Sequence, residues 1–431
     1  MTTGVSRRDF LRQAGGAAAL AAAGSFFPAR RAWGAAPPIK VGLIMSFSGV
    51  VADWGAAGRM GAFLAAEEIN QAGGVLNRPL EFKLEDDISA AVAVQKARKL
   101  VFDWGADFLI GFNSSGTALA VVPILPELKR ILIVPCAASP RITTEVWNKY
   151  CFRNKADSNQ KGAAGAAIAA TLPYTKWTVI GPDYAYGHDS WGAFATHLVQ
   201  KKPGAQVMGI QAWPKFAAGA YDSHITKILD AKPEAVYCPL WGADFVTFVK
   251  QANRHDFFKK VGAFFTPAGL AMDAFYALGK EVPKGIYTAS HGYWFEHPDT
   301  PRNKKWVETF VGKWGVYPHV TAHYTYSAVY YLKAAMEKAG TTDTEAVITA
   351  LEGMEQQGPA YRTVIRKEDH QAITDVPWGR TKEAPELIPL ETRVADIVLA
   401  KGEEIAEPID QVLKRRKEGG TPPWMQYVIK S

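Results

Sequence analysis

Short apolar runs alternate along the chain with longer stretches in which apolar and alanine residues recur every three or four positions. The runs have the length of buried strands, and the three-to-four-residue spacing is typical of helices packed against a sheet. In the first part of the chain this pattern predicts strands over residues 39–45, 80–85, 108–111 and 131–134, and helices over 58–70, 90–103 and 118–129. Regular alternation of this kind predicts parallel βαβ units in a doubly wound α/β sheet.

The alternation restarts near residue 156 and predicts a second α/β domain. Its predicted elements are helices over 156–171, 190–201, 221–230 and 244–254, and strands over 177–180, 206–212, 235–239, 261–265 and 285–290. Three further helical patterns, over 301–314, 324–338 and 344–351, have no strands of their own and are predicted to pack on the first domain. The chain then crosses between the domains near 154–157, 283–290 and 358–361, which predicts a hinge above a cleft. A strand is predicted over 362–366, and the proline-rich end, 377–425, is predicted to be irregular surface cover.

The first 35 residues have the composition of an export signal. Arg7 and Arg8 form a twin-arginine motif, a small-residue apolar stretch covers 14–27, and Arg30 and Arg31 precede a plausible cleavage region. A membrane anchor is the alternative, but this stretch is shorter than the ~20 residues that a membrane span requires. The sequence therefore predicts a twin-arginine signal peptide over 1–35 and export to the periplasm. Because these arginines carry much of the net charge of +7, the basic charge does not indicate nucleic-acid binding.

The sequence lacks the common motifs for catalysis, cofactors and metals. Gly55, Gly58 and Gly61 form GxxGxxG, which differs from the dinucleotide motif GxGxxG, and no GxxxxGKS/T phosphate loop is present. The segment 111–116 is one residue too long for the GxSxG motif of serine hydrolases. Three cysteines are too few for a disulfide framework, and their spacing matches no metal motif. The sequence predicts no enzyme activity, no cofactor and no metal site.

The stretch 109–117 is the first candidate for ligand binding, because a predicted buried strand gives way there to small hydroxyl residues at a helix start. In an open parallel sheet, ligands bind beyond the carboxyl ends of the strands, where a helix N-terminus offers unpaired N–H groups to an anion. Ser114, Ser115 and Thr117 add hydroxyl donors at that place. The same residue types are common as helix N-caps without any ligand, so this stretch alone leaves both interpretations open.

Several short segments occur in a characteristic order along the chain. They include AAEEINQAGGV at 65–75, SSGTALA at 114–120, VPCAASP at 134–140 and DYAYG at 183–187, together with 39–42, 48–49, 54–55 and 244–252. As an ordered set covering about residues 39–350, they resemble the periplasmic type I solute-binding proteins of the branched-chain amino acid (leucine/isoleucine/valine) ABC transporter family. The resemblance implies two Rossmann-like lobes joined by a three-crossover hinge, a small-molecule ligand in the cleft, and delivery to the membrane permease of an ABC importer. Lobe 1 is expected over 36–156 plus 288–360, lobe 2 over 157–287 plus a C-terminal extension within 361–431, and the protein is expected to be a monomer.

The resemblance also implies roles for individual residues. On lobe 1, the matching positions hold the ligand carboxylate, largely through backbone N–H groups, and they are Ser114 or Ser115 and the segment Ala137, Ala138 and Ser139. Aromatic positions that contact the ligand are matched by Trp54, Tyr186 and Trp241.

At one position the chain departs from the amino acid binders of that family. Those proteins carry a glutamate in lobe 2 that pairs with the ligand ammonium, and Ala268 stands at the matching place here. A buried ammonium without a counter-charge costs several kcal/mol, so an α-amino acid ligand is disfavoured. A carboxylate or amide without an ammonium is expected instead, and flat apolar walls for an aromatic ligand are offered by Trp54, Tyr184, Tyr186 and Trp241. The alternatives left open are an amino acid ligand, branched-chain or other, and an exported ligand sensor that has no permease.

Overall fold

A computed structural model describes residues 37–289 and 294–430, so the predicted signal peptide over 1–35 lies outside the described residues, as does residue 290. The strands are β1 Ile39–Met45, β2 Leu80–Asp86, β3 Phe108–Gly111, β4 Ile131–Val134, β5 Cys151–Arg153, β6 Lys176–Val179, β7 Gln206–Val207, β8 Ala235–Tyr237, β9 Ala263–Thr266, β10 Tyr287–Thr288, β11 Glu355–Gln357, β12 Arg362–Ile365, β13 Ala372–Thr374, β14 Val376–Glu383 and β15 Thr392–Ala400. The helices are α1 Ala52–Gln71, α2 Ala90–Arg98, α3 Ser115–Val121, α4 Leu125–Leu128, α5 Ser158–Thr171, α6 Ala185–Lys201, α7 Asp222–Asp230, α8 Gly242–Arg254, α9 Phe257–Lys260, α10 Met272–Leu278, α11 Pro301–Trp314, α12 Val320–Ala339, α13 Thr344–Leu351, α14 Gly402–Ile405 and α15 Ile409–Glu418. Across these residues, no helix is long and apolar enough to cross a membrane.

Two main sheets form the centres of two lobes. The first has the strand order β2-β1-β3-β4-β5, with all neighbours parallel. The second has the order β15-β14-β10-β9-β8-β6-β7, in which β6 to β10 are parallel and β14 and β15 are added antiparallel. The predicted α/β class with two Rossmann-like lobes is confirmed. The strand order reverses between β1 and β3 in the first sheet and between β6 and β8 in the second, and ligands bind beside such reversal points in doubly wound folds.

The long helix α12 packs back on lobe 1, as predicted for the helical pattern over 324–338. Its Tyr331 lies in the same apolar core as strands β1 and β3. Helices α1 and α12 approach closely because residue 61 is glycine: a Cβ there would lie 2.1 Å from the carbonyl oxygen of Ala322. Helix α13 joins this core through Leu351. Helix α11 also contacts these lobe 1 helices, because the Trp306 ring lies 5.6 Å from the ring of Tyr326 on α12 and Lys313 pairs with Glu67 on α1. Its Trp306 and Phe310 belong to a second apolar cluster that contains residues of both lobes.

The C-terminal part is more regular than predicted. The expectation of irregular cover over 377–425 is wrong, because β14 and β15 extend the second sheet and α14 and α15 follow them. Polar and charged residues on the exposed side of these edge strands hide the strand pattern in the sequence. The inner side is apolar, and the buried Trp378 also donates a hydrogen bond from Nε1 to the carbonyl of Lys161 on α5 (3.3 Å).

Other element bounds differ where local sequence signals conflict with packing. Helix α1 begins at Ala52 rather than at 58. The prediction started too late because Gly55 is a poor helix former, whereas in the structure this glycine allows the helix to contact the loop after β1 closely. A Cβ at this glycine would lie 2.0 Å from the carbonyl oxygen of Ser46. The predicted helix 118–129 is divided into α3, a short turn containing Pro123, and α4.

Elements of the second half differ in the same way. Helix α6 begins at Ala185 rather than at 190, and the predicted strand 206–212 is reduced to β7. The sequence does not predict β5 or α10; β5 is three residues long and ends in the buried Arg153, so it lacks an apolar run.

The lobe boundaries at 156–157, 287–288 and 360–361 stay a prediction. Ile365 and Ala372 pack in the core of lobe 1, and the chain joins the second sheet at β14. Ile365 of β12 and Ala372 of β13 pair in the small antiparallel sheet β11-β12-β13, which precedes β14 along the chain.

Candidate ligand-binding site

The strand ends beside the two reversal points lie around one small cavity between the lobes. Its lining consists of Trp54, Asn113, Ser115, Cys136, Ala138, Tyr184, Tyr186, Trp241 and Ala268. All of these except Asn113 and Cys136 are expected at the ligand from the sequence, Tyr184 as an aromatic wall, so seven expected residues are brought together. A larger cavity of about 900 Å³ lies between α5, α6 and the C-terminal segment, and its lining contains no predicted site residue.

The lobe 1 wall of the cavity is built from hydrogen-bond donors at the ends of β3 and β4. Ser115, the first residue of α3, lies close to the cradle, which is the segment 136–139 after β4. The Ser115 hydroxyl oxygen accepts hydrogen bonds from the backbone N–H groups of Ala138 (3.2 Å) and Ser139 (3.1 Å). Asn113 accepts a hydrogen bond from the N–H of Ser46 (3.0 Å), whereas its buried Nδ2 has no hydrogen-bond partner. The Ser115 hydroxyl, held in place by the two N–H groups, and the Asn113 amide thus offer donors at this wall, and a carboxylate accepts hydrogen bonds from such groups.

Four predicted residues lie beside the cavity rather than in its lining, namely Ser114, Thr117, Ala137 and Ser139. Ser114 is the N-cap of α3, and its hydroxyl accepts a hydrogen bond from the N–H of Gly116 (3.2 Å). The hydroxyls of Thr117 and Ser139 donate to the buried carboxylates of Asp87 (3.0 Å) and Asp189 (2.5 Å). The N–H of Ala137 donates to the carbonyl of Phe112 (2.9 Å). These residues hold the loop geometry through contacts with other protein groups.

Aromatic rings form the opposite wall. Trp54 of α1 lies edge-on to Trp241, with 4.8 Å between ring centroids, and Tyr186 lies 6.4 Å from Trp241. Trp241 donates a hydrogen bond from Nε1 to the hydroxyl of Tyr184 (3.0 Å). Burial raises the pKa of both tyrosines, so their hydroxyls are neutral at physiological pH. Among the described residues, the buried Tyr186 hydroxyl has no hydrogen-bond partner, and the lining includes no acidic or basic side chain.

Trp54 is held by contacts from outside the cavity. Its Nε1 donates a hydrogen bond to Asp273 of α10 (3.0 Å), and its ring lies edge-on to His319 at 4.7 Å. His319 is in turn 3.3 Å from the other carboxylate oxygen of Asp273. Burial and the nearby Asp273 carboxylate raise the pKa of Asp53, the neighbour of Trp54. The position of this ring therefore depends on the second lobe as well as on its own helix.

The sequence-based interpretation missed Asn113 and Cys136 as lining residues. Each lies two positions after a buried strand, β3 or β4, at the edge where parallel strands bring their carboxyl ends together. That position is the signal that identifies them. Cys136, like Cys151 and Cys238, is a buried thiol in the reduced state, and burial raises its pKa.

The geometry agrees with comparisons to known proteins. A family model described as "Periplasmic binding protein" matches residues 38–384. The leucine-, isoleucine-, valine-, threonine- and alanine-binding protein of Pseudomonas aeruginosa is 29% identical over 321 residues, which cover 74% of this chain and 83% of the relative.

Solved structures agree in fold. A solute-binding protein of an ABC transporter from Rhodopseudomonas palustris BisB5, in complex with 3,4-dihydroxybenzoic acid, has a TM-score of 0.76 at 21% identity, covering 85% of this chain and 98% of that one. A solute-binding protein from R. palustris in complex with benzoate has a TM-score of 0.73 at 23% identity, covering 84% and 96%. Since the family model matches most of the chain, the protein belongs to the periplasmic binding proteins, among the type I solute-binding proteins of the branched-chain amino acid transporter family.

Proposed function

We propose that the protein captures an aromatic carboxylate in the periplasm and delivers it to the permease of an ABC importer, after export through the twin-arginine signal over 1–35. The observation that carries the proposal is the composition of the cavity. One wall offers hydrogen-bond donors, four aromatic rings enclose the remainder, and none of the lining residues that the structure describes is acidic.

The carboxylate end of the ligand is assigned to the lobe 1 wall. The Ser115 hydroxyl oxygen accepts hydrogen bonds from the N–H groups of Ala138 (3.2 Å) and Ser139 (3.1 Å), so its own hydroxyl proton can be donated to a carboxylate oxygen placed in the cavity. The unpartnered Nδ2 of Asn113 adds a further donor. Hydrogen bonds to an ionised acceptor contribute about 1.5–3 kcal/mol each, more than bonds between neutral groups.

The ring of the ligand is assigned to the aromatic side of the cavity. Trp54, Tyr186 and Trp241 line the cavity edge-to-face to one another, and a flat ring placed among them meets them in stacked or T-shaped contact. The benzoate-type ligands of the two R. palustris proteins have this chemistry and support the proposal.

An α-amino acid is the second candidate, favoured by the P. aeruginosa relative that binds leucine and similar residues. Its ammonium would lie near Ala268, which offers no counter-charge, and the other lining residues within 37–289 and 294–430 include no acid. Leaving an ion unpaired in a buried site costs several kcal/mol. Ala268 therefore favours a carboxylate that lacks an ammonium.

Binding is proposed to close the lobes about the chain crossings. A ligand that contacts donors on lobe 1 and rings on lobe 2 stabilises the closed arrangement only as far as it binds that arrangement more tightly than the open one. The closed and open forms then differ in the surface that they offer to the permease.

The test is a ligand screen on the mature chain without residues 1–35. Thermal shift and isothermal titration calorimetry are carried out with benzoate, 4-hydroxybenzoate, 3,4-dihydroxybenzoate, benzamide, L-leucine and L-phenylalanine. The aromatic carboxylates are expected to raise the melting temperature, whereas L-phenylalanine, which has a ring and a carboxylate but also an ammonium, is expected to have no effect. If only the α-amino acids raise it, the proposal is wrong and the second candidate is correct.

A further inference from the structure

The first crossing between the lobes carries an unusual set of buried charges. Every residue of the segment 153–161, which links β5 to α5, is buried. The segment contains three basic residues, Arg153, Lys155 and Lys161, and one acidic residue, Asp157. Arg153, Lys155 and Lys161 are each at most 1% exposed. Cations are seldom buried so completely in a soluble protein, and this group lies directly behind the ligand cavity.

The carbonyl groups of the cradle, residues 136–139, all accept hydrogen bonds from the segment 153–161. Lys155 Nζ donates to the carbonyl of Cys136 (2.9 Å), and Arg153 Nη1 lies 3.4 Å from that of Ala137 and 2.6 Å from that of Ser139. The carbonyl of Ala138 accepts a hydrogen bond from the backbone N–H of Ser158 (2.8 Å). In a trans peptide the C=O and the following N–H point in opposite directions. Binding the carbonyls of Ala137 and Ala138 from behind therefore directs the next two N–H groups towards Ser115.

Arg153 and Lys155 differ in how their positive charge is balanced. The carboxylates of Asp157, Asp189 and Asp369 all face Arg153. Lys155 faces Lys161, Cys136 and Arg153, and the carboxylate that faces it is Asp157, which it shares with Arg153. The balance therefore leaves positive charge on the Lys155 side, beneath the cavity-lining Cys136. An anion in the cavity offsets such a charge, because electrostatic interactions are only weakly screened in a buried site.

We propose that Lys155 determines specificity: its ammonium supplies the positive potential that makes the cradle select a carboxylate over a neutral amide of the same shape, while Arg153 orients the cradle N–H groups. The inference rests on the proposed function and extends it to a residue outside the cavity lining. The hinge segment itself then carries the charge that recognises the ligand.

The protonation of the lysine pair supports this assignment. Loss of hydration lowers the pKa of Lys155 to about 7, and burial lowers the pKa of Lys161 as well. A carboxylate in the cavity favours the charged form of Lys155, so binding is accompanied by proton uptake near neutral pH. A neutral amide has no such effect.

The experiment compares Lys155→Met with wild type and with Lys202→Met, using benzoate and benzamide as matched probes. Lys202, which follows α6, is the control because its Nζ also donates to backbone carbonyls, those of Ala170 (3.3 Å) and Leu172 (2.6 Å). These carbonyls lie at the C-terminal end of α5, whereas the cradle is contacted from its N-terminal end. Calorimetry in buffers of different ionisation enthalpy gives both the affinity and the number of protons taken up. Lys155→Met is expected to weaken benzoate binding about 10- to 100-fold, to change benzamide binding less than about threefold, and to abolish proton uptake. Lys202→Met is expected to behave as wild type.

The outcomes separate the two proposals. If wild type binds neither probe, the proposed function is wrong and this inference falls with it. If wild type binds benzoate but Lys155→Met keeps the same preference for benzoate over benzamide, the inference alone is overturned. Should Lys155→Met fail to fold, Lys155→Gln replaces it, with the same expected loss of preference and the same overturning result.

Discussion

The two walls of the cavity recognise different parts of a ligand by different means. The lobe 1 wall uses small residues and backbone N–H groups, whose positions are set by the ends of β3 and β4. The other side uses large rings, Trp54, Tyr186 and Trp241, whose contact is extensive but less directional. A carboxylate is common to amino acids and aromatic acids, so the lobe 1 wall does not distinguish them. The difference teaches that the choice between an amino acid and an aromatic acid is made on the side where the rings and Ala268 lie.

The largest expected effect comes from placing an acid on the ring side. Ala268→Glu introduces a carboxylate into a lining that has no basic side chain, next to an anionic ligand. The penalty for an unpaired buried charge is several kcal/mol, so benzoate affinity is expected to fall more than about 100-fold by calorimetry. L-Leucine, whose ammonium can pair with the new carboxylate, is expected to begin to raise the melting temperature.

Ala268→Gln is the matched control, because glutamine has nearly the same size as glutamate and no charge. It is expected to lose only the part of the affinity that the added volume costs. Equal losses for the two variants would contradict the assignment of charge selection to this position.

The second largest effect concerns the contact that joins the two walls. Asp189 of α6 accepts hydrogen bonds from the Ser139 hydroxyl (2.5 Å) and from Nε1 of Trp424 in the C-terminal segment (3.0 Å). Asp189→Ala leaves two buried donors unpaired, at about 1–3 kcal/mol each, so the free energy of unfolding is expected to fall by about 2–6 kcal/mol in urea denaturation. A double-mutant cycle with Ser139→Ala isolates the contact between the lobes. A coupling energy near zero would mean that this hydrogen bond does not join them.

The third effect separates a lining hydroxyl from one that only holds the loop. Ser115→Ala removes a donor to the ligand carboxylate, which is worth about 1.5–3 kcal/mol, so benzoate affinity is expected to fall about 10- to 100-fold. Thr117→Val is the control on the same helix, because this hydroxyl contacts Asp87 instead. It is expected to lower the melting temperature and leave affinity within about twofold. If Thr117→Val weakens benzoate binding and Ser115→Ala leaves it unchanged, the ligand does not bind at Ser115.

These two hydroxyls illustrate how far the site could be predicted. The pattern of a buried strand followed by small hydroxyl residues correctly located Ser115 at the cavity. It could not separate Ser115 from Thr117 or Ser139, because their roles depend on Asp87 and Asp189, which lie far away in the sequence. Lys155 is harder still to predict, since a lysine in the short link between a strand and a helix is normally expected at the surface.

The fold was predictable where one signal dominated. The apolar run at β1 leaves little choice, and its predicted bounds are confirmed. Prediction failed where a side chain serves tertiary contact against its local preference, as for Gly55 at the start of α1 and Arg153 in β5. It failed again for β14 and β15, whose polar outer side resembles a loop in the sequence.

The smallest effect tests the charge behind the lobe 1 wall through pH. The pKa of Lys155 is lowered to about 7, mainly by loss of hydration, and Arg153, Asp157, Lys161 and Cys136 face its ammonium. In the free protein this residue loses its proton as pH rises through 7, whereas in the unfolded chain it holds the proton to about pH 10. The unfolded state therefore binds more protons between these values, and the stability of the free protein is expected to rise with pH over that window.

Affinity is expected to move in the opposite direction. A bound carboxylate raises the pKa of Lys155, so benzoate binds most tightly below pH 7 and more weakly as pH rises above it. If the pKa rises by one unit, the loss between pH 6 and pH 9 is about tenfold. Asp189, whose pKa burial raises to about 6, is ionised through most of this range in every variant, so Lys155→Met removes the Lys155 contribution alone. A wild-type affinity that stays constant from pH 6 to pH 9, or a Lys155→Met variant with the wild-type slope, would place the charge selection elsewhere and reduce the lobe 1 wall to its hydrogen bonds.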